Sequence, residues 1–284
     1  MSITGKARIA GVMGWPVGHS CSPLLHGYWL EHYAIDGAYV PLPVRPENLE
    51  AALKALPLLG FAGVNLTVPH KEAALAVVDA ADALTKRIGA VNTVSVQEDG
   101  TLLGTNTDGF GFLESLKEGV PGFRPEKAPA VVIGAGGAAR AIVAALLDAG
   151  AEVRLVNRTQ ARAKALSESL GGAVTPHVWA DRAEALAGAG LLVNATTLGM
   201  EGEAALDLDL GALPKEAVVT DIVYAPLETA LLKAAKARGN PVVDGLGMLL
   251  HQARPGFRTW FGKGELDPEV TLALRAYIDR KLGG

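Results

Sequence analysis

Three short polar clusters and one glycine-rich turn carry the groups in this sequence that could do chemistry. They are Gly18-His19-Ser20-Cys21-Ser22-Pro23, Asn65-Leu66-Thr67-Val68-Pro69-His70-Lys71, Asn106-Thr107-Asp108 and the turn Gly134-Ala135-Gly136-Gly137-Ala138-Ala139-Arg140. The clusters offer hydroxyls, amides, an amine and a carboxylate, which suit a polar substrate. The turn is of the kind whose backbone amides approach a pyrophosphate. A polar substrate and a dinucleotide together predict an oxidoreductase.

The glycine-rich turn has the form G-x-G-x-x-G/A, with Gly134, Gly136 and Ala139 at the defined positions. It follows the apolar segment Val131-Val132-Ile133 and precedes a helical pattern, which is the context that dinucleotide binding requires. The residues predicted to contact the cofactor here are Gly134, Ala135, Gly136, Gly137 and Ala138. A tight strand-to-helix turn without a ligand is the alternative.

The second strand of the same region ends at Val156-Asn157-Arg158-Thr159. An NAD-binding protein usually has an acidic residue here, which hydrogen-bonds the ribose 2′-hydroxyl, and none is present. The guanidinium of Arg158 suits a 2′-phosphate instead, with Asn157 and Thr159 as neutral donors. The sequence therefore predicts NADP(H) as the cofactor. The alternative is that Arg158 is a solvated residue at the start of a helix.

Lys71 and Asp108 are the candidate residues for proton transfer. Pro69 suits the first position of a helix, with Thr67 or Val68 as its cap. Lys71 is then expected in the first turn of that helix, where the helix dipole disfavours a cation. Asp108 is also expected to begin a helix, and its carboxylate would orient the amine if it approached Lys71. A surface lysine and a helix-capping aspartate are the alternatives.

Ser20 and Ser22 lie two residues apart in the first cluster. In an extended segment such residues point to the same side, so both hydroxyls would bind one carboxylate while Cys21 faces away and packs. Capping of the helix that follows is the alternative for Ser22, and the two roles are compatible. His19 and His70 have no partner at a clear spacing and are interpreted as structural.

Composition excludes several classes of protein. The 284 residues are 49% hydrophobic and 20% charged, as expected for a globular chain of two domains. A net charge of −4 without a basic run argues against nucleic-acid binding. No segment approaches the roughly 20 apolar residues of a membrane span and no signal sequence is recognised, so we expect no membrane contact and a cytoplasmic location. A single cysteine and six histidines without metal-binding spacing predict neither a disulfide nor a metal site.

Strand-like and helical segments alternate along the chain, which is typical of parallel α/β layers. The segments predicted for the first half are strands at 8–14, 38–41 and 61–67, helices at 24–33, 47–56 and 108–118, and a hairpin of 90–96 with 101–104. The strands predicted for the second half are 130–133, 152–156, 191–194, 218–222 and 241–243. We expect an α/β fold of two domains separated by a cleft. Residues 1–107, completed by helices within 245–284, would form a substrate-binding domain with a mainly parallel sheet, and residues 108–244 a Rossmann-like NADP-binding domain.

Seven segments, which include the three polar clusters, follow one another in a characteristic order. They are Gly14-Trp15-Pro16-Val17-Gly18-His19-Ser20-Cys21-Ser22-Pro23-Leu24-Leu25-His26, Asn65-Leu66-Thr67-Val68-Pro69-His70-Lys71, Ala90-Val91-Asn92-Thr93, Gly104-Thr105-Asn106-Thr107-Asp108-Gly109, Asn194-Ala195-Thr196-Thr197-Leu198-Gly199-Met200, Asp221-Ile222-Val223-Tyr224-Ala225-Pro226-Leu227-Glu228-Thr229 and Asp244-Gly245-Leu246-Gly247-Met248-Leu249-Leu250-His251-Gln252. In these segments and their order the chain resembles the shikimate/quinate dehydrogenase family over nearly its whole length. Gly27 and Leu66 stand where the family usually has Asn and Val.

The resemblance implies a role for each segment. Ser20 and Ser22 would bind the substrate carboxylate, and Lys71 would be the catalytic acid and base, poised by Asp108. The other substrate-binding residues that it implies are Asn65, Thr67, Asn92, Tyr224 and Gln252. The residues that it places near the nicotinamide are Thr196, Ile222, Gly245 and Met248, with Tyr224 on the same side.

The activity implied by the resemblance is the NADPH-dependent reversible reduction of 3-dehydroshikimate to shikimate. The absence of an acid after the second strand of the cofactor domain favours the NADP-dependent, shikimate-specific branch. A quinate or aminoshikimate dehydrogenase, a non-catalytic NADPH-sensing protein and a methylenetetrahydrofolate dehydrogenase are the alternatives. Monomer and homodimer are both compatible with the sequence.

Overall fold

The computed structural model describes residues 3–263 and 266–282. The chain splits into two compact units, of which unit 1 contains Met1–Thr107 with Gln252–Lys281 and unit 2 contains Asp108–His251. The second division lies inside one helix, seven residues beyond the position at 245 that the sequence indicated. Each unit has its own sheet.

Within the described residues, unit 1 is built on one six-stranded sheet. Its strands are β1 (Arg8–Gly14), β2 (Gly37–Pro43), β3 (Phe61–Leu66), β4 (Ala80–Ala81), β5 (Thr93–Val96) and β6 (Leu102–Thr105). Its helices before residue 108 are α1 (Ser22–His32), α2 (Leu49–Ala55) and α3 (Ala83–Ile88), with 3₁₀ helices at Pro46–Asn48 and Ala73–Ala76. The predicted strands, hairpin and first helix are confirmed within a few residues, whereas β4 and α3 lie outside the predictions.

The sheet of unit 1 has the strand order β2-β1-β3-β5-β6-β4 and is mixed. β1 pairs in parallel with β2 and β3, whereas β5 runs antiparallel to both β3 and β6. The carboxyl ends of β1, β3 and β6 therefore meet the amino end of β5 at one edge of the sheet. The polar clusters follow those three strands, and Asn92 directly precedes β5. The topology thus gathers the polar segments of unit 1 at one edge.

An aromatic cluster surrounds a fully buried histidine in unit 1. The His26 ring of α1 stacks on Tyr39 of β2, with centroids 3.8 Å apart and an interplanar angle of 5°. Trp29, Phe257 and Trp260 surround the same ring at centroid distances of 5.6, 5.8 and 6.0 Å. Neither ring nitrogen has a hydrogen-bond partner in the described part of the chain. Burial lowers the pKa of His26 to about 3, so the ring is neutral when the protein is folded.

Unit 2 is built on a parallel sheet. Its strands are β7 (Ala130–Ile133), β8 (Val153–Val156), β9 (Val174–His177), β10 (Leu191–Asn194), β11 (Val218–Asp221) and β12 (Val242–Val243). Its helices are α4 (Asp108–Gly119), α5 (Gly137–Asp148), α6 (Gln160–Leu170), α7 (Ala230–Arg238) and α8 (Gly245–Phe261), which continues into unit 1 and is followed by α9 (Pro268–Leu282). Short 3₁₀ helices are Pro125–Lys127, Trp179–Arg182 and Glu184–Leu186. The helix predicted to begin at Asp108 is confirmed, and β9 lies outside the predictions.

The strand order of the second sheet is β12-β11-β10-β7-β8-β9, with every neighbouring pair parallel. This is the Rossmann order, so the prediction for this region is confirmed. The order of the strands reverses between β7 and β10, where ligands of such sheets bind. Across residues 3–263 and 266–282, no helix is both long enough and apolar enough to cross a membrane.

Acid will destabilise the protein through His26. Its folded pKa of about 3 lies below the value of about 6.5 expected in the unfolded chain, so the unfolded state binds one more proton between these values. The contribution is fully present above about pH 6.5 and is lost as the pH falls toward the folded pKa, at about 1.4 kcal/mol per pH unit. Denaturant titrations between pH 7 and pH 4 measure this slope.

His26→Phe keeps a ring against Tyr39 and will flatten the pH dependence of the unfolding free energy by about one proton. His32→Gln, at an exposed position of the same helix, controls for the loss of a histidine. The same slope for His26→Phe and the wild type would contradict the assignment of the acid sensitivity to this buried ring.

Candidate active site

Backbone hydrogen bonds fix the lysine segment at the polar edge of unit 1. The Thr67 N–H donates to the carbonyl oxygen of Met13 at 2.9 Å, which joins the segment to β1. The Val91 N–H donates to the carbonyl oxygen of Lys71 at 2.7 Å, which joins it to the segment before β5. The backbone that carries the candidate amine is therefore held from two sides.

Asn92 is the centre of a buried polar network in unit 1. Its Oδ1 accepts the Thr107 N–H and the Thr93 hydroxyl, both at 2.9 Å. Its Nδ2 donates to Thr107 Oγ1 at 2.9 Å and to Gln252 Oε1 at 3.3 Å. The Thr107 hydroxyl also lies 2.8 Å from the carbonyl oxygen of Gln252, to which it donates. The network brings together Asn92 and Gln252, which were predicted from the sequence, and adds the two threonines.

Asn65 is buried within β3 and is held from three directions. The Tyr39 hydroxyl donates to its Oδ1 at 2.6 Å. Its Nδ2 donates to the carbonyl oxygen of Asn92 and to Thr93 Oγ1, both at 3.1 Å. Because both amide hydrogens are used inside the protein, Asn65 is able to meet a ligand only as an acceptor through Oδ1. Its geometry suits the positioning of Asn92 as much as contact with a substrate.

Lys71 lies in a turn rather than in a helix. The His70 N–H donates to the carbonyl oxygen of Thr67 at 2.9 Å, and the next regular element is the 3₁₀ helix Ala73–Ala76. The buried His70 ring places Nε2 at 2.8 Å from the carbonyl oxygen of Val44, which anchors the turn. The prediction of a helix beginning at Pro69 is therefore wrong, because these tertiary contacts bend the chain. The argument from a helix dipole at the half-buried Lys71 fails with it.

Ser20 and Ser22 lie at the start of α1 and not in an extended segment. The Ser20 N–H closes a turn on the carbonyl oxygen of Val17 at 3.0 Å, and Cys21 has a near-helical φ of −83° and ψ of −1°. The Ser22 N–H donates to Ser20 Oγ at 3.3 Å, and the side chain of Cys21, the residue before the helix, makes no capping hydrogen bond. The extended geometry and the capping role predicted for Ser22 are therefore both wrong. Burial raises the pKa of the Cys21 thiol above its ordinary value.

The glycine turn of unit 2 connects β7 to α5 at the point where the strand order reverses. Gly134 has a φ of +119°, and a Cβ on it would lie 2.8 Å from the carbonyl oxygen of Ala195. Gly136 precedes α5, whose amino end no side chain of the described residues caps. The first N–H groups of this helix therefore face outward without a side-chain acceptor. Such an end suits the oxygens of a pyrophosphate, so the residues present fit a dinucleotide.

Asn157, Arg158 and Thr159 follow β8 and form the next loop along the same edge. Asn157 Nδ2 donates to the carbonyl oxygen of Thr159 at 3.0 Å, which fixes the loop. Arg158 is exposed, and no hydrogen bond or ion pair engages its side chain within the described residues. A guanidinium available at this position, in a loop without an acid, fits a 2′-phosphate.

The remaining predicted cofactor residues lie at the same carboxyl edge of the second sheet. Thr196 follows β10, Ile222 and Tyr224 follow β11, and Gly245 begins α8 after β12. Ile222 packs against a core cluster that contains the buried Met248. A Cβ on Gly245 would lie 2.5 Å from the carbonyl oxygen of Ile222, so only glycine allows the helix to approach this segment so closely.

Two family models match the chain. The model described as the shikimate dehydrogenase substrate binding domain matches residues 12–94. The model described as shikimate / quinate 5-dehydrogenase matches residues 120–199. The chain is also 62% identical over 277 residues to the shikimate dehydrogenase (NADP(+)) of Paramagnetospirillum magneticum, covering 97% of this chain and 99% of that protein. The chain belongs to the shikimate dehydrogenase family.

Solved structures agree with membership of this family. The shikimate 5-dehydrogenase from Thermus thermophilus, in complex with NADP(H) and shikimate, matches with a TM-score of 0.83 and 44% identity, covering 95% of this chain and 99% of that chain. The quinate dehydrogenase from Corynebacterium glutamicum, in complex with NAD, matches with a TM-score of 0.85 and 31% identity, covering 96% of this chain and 98% of that chain. The α/β fold and the family resemblance seen in the sequence are confirmed.

Several residues at the polar edge of unit 1 received no role of their own in the reasoning from sequence. Tyr39, Thr93 and Thr107 complete the network of unit 1. Tyr39 is a polar residue inside an otherwise apolar strand, and that signal was available. Thr93 and Thr107 stand in the segments 90–93 and 106–108 that the sequence singled out, but neither received a role of its own, because their contacts depend on the pairing of strands distant in sequence.

Gly136→Ala will separate cofactor binding from folding. The φ of −91° and ψ of −175° at Gly136 are open to any residue, and a Cβ there meets nothing within 4 Å, so the melting temperature should change by less than about 2 °C. The same methyl group would occupy the space through which a pyrophosphate approaches the amides, so the Kd for NADP should rise at least about tenfold. Differential scanning calorimetry and calorimetric titration measure the two quantities.

Gly134→Ala is the matched control. Its positive φ and the contact with Ala195 predict a melting temperature lower by several degrees, which a loss of binding alone would not produce. Wild-type affinity for NADP in Gly136→Ala would contradict the assignment of the turn to the cofactor.

Proposed function

We propose that this protein is an NADP-dependent shikimate dehydrogenase, which interconverts 3-dehydroshikimate and shikimate in the shikimate pathway of chorismate and aromatic amino-acid biosynthesis. The observation that carries the proposal is the pairing of two polar edges in one chain. Unit 1 has Lys71, two serines and a buried amide network at its edge, and unit 2 has an uncapped helix end and Arg158. The match to an NADP(+)-dependent shikimate dehydrogenase over 97% of the chain supports the same reading.

The residues of unit 1 suit a small acid that carries several hydroxyl groups. The hydroxyls of Ser20 and Ser22, on the first turn into α1, are proposed to bind the carboxylate. Thr67 is half-buried and offers a hydroxyl beside the lysine segment. Asn65 is proposed to accept from a substrate hydroxyl through Oδ1, since its amide hydrogens are used within the protein. Both hydrogens and both acceptor positions of Asn92 are used within the protein, so its proposed contact with a substrate hydroxyl replaces one of these hydrogen bonds.

Lys71 is proposed to move the proton. In the direction of reduction its ammonium group donates a hydrogen bond to the ketone oxygen and transfers a proton as negative charge develops there. In the direction of oxidation the neutral amine takes the proton of the substrate hydroxyl. The hydrogen bond from Val91 to the carbonyl oxygen of Lys71 fixes the backbone from which the amine reaches. Asp108, the buried first residue of α4, stays the predicted partner that orients the amine.

NADPH, when bound, supplies the hydride for the ketone carbon from nicotinamide C4. In this proposal unit 2 binds the cofactor and orients it. The N–H groups at the start of α5 are proposed to meet the pyrophosphate, and Arg158 with Asn157 and Thr159 the 2′-phosphate. The residues proposed to face the nicotinamide side are Thr196, Ile222, Tyr224, Gly245, Met248.

Quinate oxidation is the second candidate activity, because the quinate dehydrogenase from Corynebacterium glutamicum is 31% identical to the chain. That structure is in complex with NAD, whereas residues 157–159 of this chain contain a cation and no acid. The loop therefore favours NADP over NAD, and the match to an NADP(+)-dependent shikimate dehydrogenase favours shikimate as the substrate. The cytoplasmic location stays a prediction, and monomer and homodimer stay open.

Lys71→Ala will lower kcat by about 100-fold or more while changing the KM for shikimate by less than about threefold. The reason is that a proton-transfer group acts mainly in the transition state. Steady-state kinetics with NADP and shikimate measure both parameters. Lys54→Ala, at an exposed lysine of α2 that pairs with Glu50, is the control and should leave both unchanged. Comparable losses in affinity and turnover would mean that Lys71 mainly binds the substrate.

The activity itself is tested by offering shikimate or quinate with NADP or NAD and following absorbance of the reduced nicotinamide. The pair of shikimate with NADP should have the highest kcat/KM.

Arg158→Asp should raise the KM for NADP by about 100-fold and reduce the preference for NADP over NAD, since it replaces a phosphate-binding cation with an acid. Lys164→Asp, on the exposed face of α6, controls for the change of charge. An unchanged KM for NADP in Arg158→Asp would remove the 2′-phosphate assignment.

A further inference from the structure

Three buried polar side chains in unit 2 form a network that none of the roles above uses. Asn194 is the last residue of β10, Asp221 is the last residue of β11, and Thr229 caps α7. Their exposures are 0%, 1% and 1%. Asn194 Nδ2 donates to Asp221 Oδ1 at 3.0 Å, and the Thr229 hydroxyl donates to Asp221 Oδ2 at 2.8 Å. Asp221 therefore joins the loop that follows β10 to the start of α7.

Asn194 shapes the loop that carries Thr196. Its Oδ1 accepts the Thr196 N–H at 3.1 Å and the Thr196 hydroxyl at 2.7 Å. Its Nδ2 donates to the carbonyl oxygen of Leu198 at 2.9 Å as well as to Asp221. Every hydrogen-bonding position of this amide is used, so the loop has one well-defined shape around it.

Asp221 shapes the segment that carries Ile222 and Tyr224. Its Oδ1 accepts the Val223 N–H at 3.0 Å, which fixes the backbone between these two residues. From the other side Gly245 approaches the carbonyl oxygen of Ile222 so closely that no Cβ would fit. The segment is therefore held on both faces.

The partners of Asp221 require an acceptor. Val223 and Asn194 present N–H groups, and Thr229 Oγ1 already accepts the Leu232 N–H at 3.3 Å, so its own hydrogen is directed to Asp221. Burial raises the pKa of Asp221, while the hydrogen bonds from these three groups lower it. A carboxylate satisfies three donors at once, which an amide in the same place does not.

We propose that Asp221, with Asn194 and Thr229, is a positioning unit for the nicotinamide half of the cofactor. It sets the places of Thr196 and of the segment from Ile222 to Tyr224 without itself touching a ligand. The uncapped end of α5 and Arg158 are proposed to bind the other half, and within the described residues none of the hydrogen bonds of these three side chains reaches either of them. The inference rests on the proposed function, because it takes from it the residues that face the nicotinamide.

The test compares two ligands by calorimetric titration. One is NADP, and the other is 2′-phospho-ADP-ribose, which keeps the 2′-phosphate and the pyrophosphate but lacks the nicotinamide. Asp221→Asn and Thr229→Val remove one or more hydrogen bonds at nearly constant volume. Each should raise the Kd for NADP by about tenfold and leave the Kd for 2′-phospho-ADP-ribose within about twofold. Thr229→Ser keeps the hydroxyl and should restore an NADP affinity close to the wild type.

The outcomes separate this inference from the proposed function. Wild-type NADP affinity in both Asp221→Asn and Thr229→Val would overturn the positioning role. A parallel loss of affinity for both ligands would also overturn it, since the network would then support the fold in general. If the wild-type protein bound neither ligand, the proposed function would fail and this inference with it. Loss of NADP affinity alone, with rescue by Thr229→Ser, supports the role.

Discussion

Parallel strands all end at the same edge of their sheet, and this constraint positions most of the functional residues described above. In unit 2 all paired strands are parallel, so the glycine turn and the loops after β8, β10, β11 and β12 share one edge. In unit 1 β5 runs antiparallel to β3 and β6, so its amino end lies at the edge where β1, β3 and β6 end. The polar residues are therefore brought together by strand direction before any contact between their side chains is considered.

Side-chain amides then fix the loops that the topology brings together. Asn65, Asn92 and Asn194 each lie in or beside a strand end, and each uses both amide hydrogens within the protein. A chain that leaves a sheet exposes both N–H and carbonyl groups, and an amide satisfies one of each. Because an unpaired buried group costs about 1–3 kcal/mol, a fully paired amide selects one loop shape over its alternatives. Asp221 replaces an amide where three donors converge.

The sequence predicted most strands and the cofactor turn, since both depend on local patterns of apolar residues, glycine and proline. The elements outside the predictions are short or atypical. β4 has two residues, β9 contains Pro176, and α3 has six residues. The sequence did offer a cap for α3, since Asp82 precedes it, and in the structure Asp82 accepts the Thr85 N–H at 2.6 Å. Each of these elements is too short for periodicity to be seen, so tertiary context decides its structure.

The wrong predictions at the candidate site concern the helix expected from Pro69 and the segment of Ser20 and Ser22, and they have two different physical origins. Proline at the first position of a helix is a local preference, but the contact of His70 with Val44 and the hydrogen bond from Val91 to Lys71 bend the chain instead. At Ser22, the turn closed by Ser20 starts the helix earlier than the cap rule assumes. At Pro69 a local propensity of about 1 kcal/mol is outweighed by a few tertiary hydrogen bonds, whereas at Ser22 one local turn replaces another.

The electrostatic effects on binding come from two sources, the net charge of the whole chain and a few charged or oriented groups close to the ligand. The chain carries a net charge of −4, yet the proposed substrate and cofactor are anions. Charges farther away than the screening length of about 8 Å at physiological ionic strength contribute little, so the net charge opposes binding only weakly. Lys71, Arg158 and the uncapped end of α5 act at contact distance, where an oriented donor outweighs the distant field. Which anion binds then depends on the positions of those donors, and these positions are determined by where the preceding strands end.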